Sequence, residues 1–125
     1  MITLDALIGL PGKCSALGEF KASRQFIIST HLLFADIKAH FDSVLAGAEF
    51  EYLESRQGYR QPSGSYFVSG PSSNYEHRWQ IEILRSDDRA AIEDIFSYLC
   101  LDESDTYIEP GSKHFVVVFD NHIEG

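Results

Sequence analysis

The cleanest pattern along the chain lies between His77 and Arg85, where Trp79, Ile81 and Ile83 alternate with Arg78, Gln80 and Glu82. Strict alternation predicts a strand with one buried face, because successive side chains leave a strand on opposite sides. Glu49 to Arg56 has the same character, with Phe50 and Tyr52 on one side and Glu49 and Glu51 on the other, and Ser65 to Ser69 lies between two turn signals as a partner strand. From Lys21 to Ser29 the chain closes on Phe26-Ile27-Ile28, a β-rich run too short for a helix. Phe115-Val116-Val117-Val118-Phe119 does not alternate at all, which predicts that His114 to Phe119 is a central strand buried on both faces. Tyr107-Ile108 is expected to join it in a closing hairpin through Pro110-Gly111.

Apolar residues three and four apart predict two helices. Phe34, Ile37, Phe41, Val44 and Leu45 form one stripe, giving a helix over residues 31–46 with Thr30 as its hydroxyl cap and Gly47 just past its end. Ala91, Ile92, Ile95, Phe96 and Leu99 form the other, over residues 88–100, with Ser86 or Asp87 as cap and Asp87 and Asp88 at its positive pole. Before Pro11, residues Ile2, Leu4 and Leu7 fit either a short strand or one helical turn. The order strand, helix, three strands, helix, two strands predicts an α+β fold. The expected form is a single-domain sandwich over residues 1–125: a mostly antiparallel sheet, two amphipathic helices side by side on one face, and the other face partly open.

Composition agrees with a packed core. At 125 residues the chain is too short for two cores, and 44% hydrophobic against 23% charged residues is far from the composition of disordered chains. Cys14 and Cys100 are too few for a disulfide framework and have no zinc-binding spacing, so a reducing, cytoplasmic setting is expected. Met1 to Leu10 lacks the basic start of a secretory signal, and no run of apolar residues is long enough to span a membrane, so no membrane contact is expected.

Charge breaks the evenness. The net charge is −9, and residues 86–125 hold ten acids against only Arg89 and Lys113, whereas the first 85 residues hold nine acids against eight bases. Such a field repels a polyanion, which argues against direct nucleic-acid binding. Arg56, Arg60, Arg78 and Arg85 are expected to pair with Glu51, Glu54, Glu76 and Glu82 across strands.

Candidate chemistry is sparse. No glycine-rich phosphate loop or serine elbow occurs, so the sequence implies no cofactor. Asp5 followed by Glu19-Phe20-Lys21 only loosely matches a nuclease metal pattern, and none of the five histidines pairs with another at metal-binding spacing, so no metal is implied. His77 and His114 each begin a strand, and two strand ends can converge into an acid–base pair; a small hydrolase built on them is one alternative reading. Another is a homo-oligomeric adaptor that pairs through an exposed strand edge. The leading expectation is a partner-binding site at Asp102, Glu103, Asp105, Glu109 and Asp120, with Tyr98 and Tyr107 as aromatic anchors. Carboxylates after a helix end stand at its negative pole, where stability alone would favour cations. The partner expected is a basic protein, such as a nuclease toxin, whose cationic surface these acids would cover in the way of a bacterial immunity protein or antitoxin.

Overall fold

A computed structural model gives the fold and describes residues 3–20, 23–55, 63–70, 75–98 and 109–124. In chain order the elements are α1 (Leu4–Leu7), β1 (Lys13–Phe20), β2 (Ser23–Thr30), α2 (Phe34–Val44), β3 (Glu49–Ser55), β4 (Ser63–Gly70), β5 (Tyr75–Arg85), α3 (Arg89–Tyr98) and β6 (His114–Glu124). The strands form one antiparallel sheet in the order β1-β2-β6-β5-β4-β3, so the fold is α+β with a dominant antiparallel sheet.

β6 organises this sheet. Its unbroken apolar run lies between β2 and β5, with Val116 opposite both Ile28 and Ile83 and Val118 opposite both Phe26 and Ile81. Both of its edges are occupied by these two neighbours; the hairpin expected with Tyr107-Ile108 falls on residues outside the described ones. The strand also runs on through Asp120, Asn121 and His122 to Glu124, because β5 continues beside it and supplies backbone partners that outweigh the polar sequence.

Successive residues of β6 point into two different cores. Val116 and Val118 join Ile28, Tyr66, Ile81 and Ile83 beneath Leu7 of α1 and Ile37 and Phe41 of α2. Phe115, Val117 and Phe119 join Ile27 and Leu84 beneath Ala91, Ile92 and Phe96 of α3. The helices therefore sit on opposite faces of the sheet, which corrects the expected sandwich with two helices on one face. The physical reason is β6 itself: a strand apolar on both sides needs cover on both sides, and burying each such side chain stabilises the fold by about 1.5–3 kcal/mol.

Local signals differ from the expectations at several ends. Thr30 remains in β2, and its hydroxyl accepts from the Leu32 amide at 3.1 Å rather than capping the helix, which begins at Phe34 after an extended Leu33. Asp88 caps α3, its carboxylate accepting from the Ala91 amide at 3.2 Å. Before Pro11 the helical alternative holds, as a turn over Leu4–Leu7 capped by the Thr3 hydroxyl, and beyond it lies β1, which the apolar pattern did not predict. Between them Gly12 takes φ 149° and passes so close to the Ser29 carbonyl that a Cβ there would lie 2.2 Å from its oxygen. Only glycine fits that approach.

Candidate interaction surface

The acids of the C-terminal stretch do not share one environment. Asp120 faces Trp79 and Arg24 across neighbouring strands, is 3% exposed, and takes a hydrogen bond from Arg24 Nη2 at 2.6 Å. Glu109 pairs with Lys13 at 3.3 Å, its backbone N–H donating to the Ser29 hydroxyl at 2.9 Å. Asp87 pairs with Arg85. Each of these is matched to a cation from the first 85 residues. Glu93 and Asp94 stand exposed on α3, with no ion pair among the described residues. Tyr98 ends α3, while Asp102, Glu103, Asp105 and Tyr107 lie outside the described residues. Of the seven residues expected to form one site, then, the described geometry binds Glu109 and Asp120 into the fold rather than into a common patch.

The expected arginine–glutamate pairing across strands is replaced at two positions. Glu82 accepts from the Ser65 hydroxyl and from Gln80 at 3.0 Å, and Arg85 turns to Asp87. Arg56 and Arg60 lie outside the described residues.

The histidine pair does not converge. His77 faces His122 and His114 faces Arg85 along the same ladder, which puts the two about 26 Å apart at roughly 3.3 Å per residue. His114 is buried, donates from Nδ1 to the Leu32 carbonyl at 2.9 Å, and its Nε2 has no hydrogen-bond partner among the described residues. Burial, reinforced by Arg85 and Lys113, holds its pKa below the ordinary 6.5 in spite of the Leu32 carbonyl. His31 and His40 likewise donate to carbonyls, of Gly111 at 3.2 Å and Ala6 at 3.0 Å, and so brace loops and α1. Cys14 is exposed on β1, and burial of its thiol raises its pKa, opposite to what a reactive thiolate needs.

The sheet's outer half, β3 and β4, carries features that local sequence pattern signals only weakly. On the α2 face, Phe50 and Tyr52 pack against Tyr66, with ring centroids at 5.7 and 4.8 Å. The Tyr66 hydroxyl donates to Asp42 Oδ1 at 2.8 Å, and Lys38 donates to Oδ2 of the same carboxylate at 2.8 Å while lying 4.7 Å from the Tyr52 ring centroid. Burial alone would raise the Asp42 carboxyl, but the bonds from Lys38 and Tyr66 outweigh it and hold it below its usual range; burial and then Asp42 push the Tyr66 phenol far up. This cluster fastens α2 to β4. On the α3 face, the buried cluster under α3 contains, among the described residues, none from β3 or β4. There Leu53 and Phe67 are exposed, in rows with Ser65 and Glu82 and with Glu51 and Gln80. One signal was visible in the sequence: Leu53 interrupts the polar side that begins with Glu49 and Glu51.

Among the described residues no three His, Cys, Asp or Glu side chains are grouped as a metal site, and no helix is long and apolar enough to cross a membrane. Compared with known proteins, the chain matches no family model, and no curated protein or solved structure is significantly similar to it.

Proposed function

We propose that this chain is a small acidic binding protein that acts in the cytoplasm and neutralises a basic protein partner by covering its cationic surface, in the manner of a bacterial immunity protein or antitoxin. The observation that carries this reading is the excess of acids over bases in the last forty residues of the sequence. Once Asp87, Glu109 and Asp120 are matched to Arg85, Lys13 and Arg24, residues 86–125 still hold seven acids against Arg89 and Lys113. Like charges held together oppose folding, but they attract a cationic partner and accelerate encounter. A nuclease toxin fits the chemistry, since carboxylates can occupy the places that substrate phosphates would take in its cleft. Glu93 and Asp94 extend the field along α3 towards Tyr98, and Asp102, Glu103 and Asp105 follow them in the chain.

The test is biochemical. Purified from its native cell at low salt, the chain is expected to carry a basic protein that is shed at high salt and whose separate activity falls when the chain is added back. A companion that stays bound at high salt, or whose activity the chain leaves unchanged, contradicts the proposal.

A further inference from the structure

The two edges of the sheet are built differently. β1 opens on Lys13, and its register with β2 shifts between Ala16 and Glu19. A lysine and a bulge are both devices that keep other strands from adding to an edge. β3 has neither: it holds one register with β4 from Glu49 opposite Ser69 to Ser55 opposite Ser63, and it contains no Lys or Pro. An edge strand presents outward N–H and C=O groups that a further strand can satisfy. This one also offers apolar contact on both sides, with Phe50 39% exposed on the α2 face and Leu53 49% exposed on the α3 face.

Charge decides which strand fits. Glu49 and Glu51 stand on the α3 side of the edge and Glu54 on the α2 side, all exposed and with no ion pair among the described residues. Neither β3 nor β4 contains a lysine or arginine. Lys38, nearby on α2, is held by Asp42. In the row of Glu49, Arg78 lies two strands inward, about 10 Å away at roughly 4.8 Å per strand.

We propose that β3 is a docking edge that takes an extended, basic segment of a partner protein as a seventh strand. The segment's cations lie on the α3 side beside Glu49 and Glu51, their stems over Leu53, and its apolar residues lie on the α2 side beside Phe50 and Tyr52. A second copy of the chain is the poorer occupant, because it brings the same carboxylates and a net charge of −9. The inference goes beyond the function proposed above and does not rest on residues 102–105.

The experiment titrates the full isotope-labelled chain with a short synthetic peptide of alternating lysine and valine, read by NMR and amide exchange. Strand addition is expected to protect alternate amides of β3 and to give cross-strand contacts between peptide and β3. Glu49→Lys with Glu51→Lys is expected to weaken binding about tenfold while the sheet's own amides stay protected. The Asp102→Lys, Glu103→Lys, Asp105→Lys chain is expected to bind the peptide at β3 as before, so the edge and the C-terminal acids are judged separately. Any of three results overturns the inference: peptide shifts confined to α3 and the C-terminal acids, undiminished binding by the Glu49 and Glu51 variant, or a dimer of the chain whose β3 amides are already protected.

Discussion

Arg24 and Asp120 are directly opposed across β2 and β6, and the guanidinium donates to the carboxylate at 2.6 Å. Arg24 is half-exposed and Asp120 is almost wholly buried beside Trp79, so the arginine brings a cation to a carboxylate that water hardly reaches. An acid that reads in sequence as part of a negative surface is thereby turned into a link between two strands.

Removing the cover exposes the cost of that burial. Arg24→Ala is expected to lower the unfolding free energy by about 1–3 kcal/mol, the range for a buried charge that loses a partner at a half-exposed pair. Arg24→Lys should recover part of it. Urea melts of the two variants and of Asp120→Asn measure this, and the double change Arg24→Ala, Asp120→Asn should cost less than the two single losses added.

His114 makes stability depend on pH. Its folded pKa lies below the 6.5 of an unfolded imidazole, because burial disfavours the charged form. The unfolded chain therefore binds the proton first, so the contribution is complete above 6.5 and is lost as the pH falls through 6.5 towards the folded value. Urea midpoints taken between pH 8 and pH 5, expressed as about three pH units of titration, should fall towards acid. His114→Asn, which keeps a donor for the Leu32 carbonyl, should show a shallower fall than the unsubstituted chain.

The Tyr66 hydroxyl ties the sheet to α2 through Asp42. Tyr66→Phe keeps the packing and is expected to cost about 1 kcal/mol. The Asp42 carboxyl should then titrate closer to its ordinary value, since one of the bonds holding it down is gone, and NMR titration of that carboxyl reads the shift directly.

Gly64 leaves room for a neighbour on β3. A Cβ at this position would lie 2.3 Å from the Tyr52 hydroxyl, so Gly64→Ala must displace that ring. The expected result is a loss of about 1–3 kcal/mol together with weakened protection of β3 amides, whereas an unchanged exchange pattern would show that the ring does not anchor the edge.

Much of this architecture could be read from the chain. The alternation of Trp79, Ile81 and Ile83 gave β5, the stripe of Ile37 and Phe41 gave α2, and the unbroken run from Phe115 to Phe119 gave a central strand. That run also contained the clue to the helices' placement, since its two sides require two covers. β1 leaves no such mark, because Cys14, Ala16 and Gly18 alternate with Ser15 and Leu17 too weakly to define a buried face. Pairings such as Arg24 with Asp120 and Lys13 with Glu109 join residues nearly a hundred positions apart, and no local pattern signals them. The charge imbalance was legible; which acids are neutralised was not.

The acids near the carboxyl end are proposed to bind a cationic partner. This is tested by the rate of association between the chain and the basic protein expected to co-purify with it, measured over a range of salt concentrations for the natural sequence and for Asp102→Lys, Glu103→Lys, Asp105→Lys. In the variant, association is expected to slow by at least about tenfold and to depend less steeply on salt. Equal rates with equal salt dependence would contradict it.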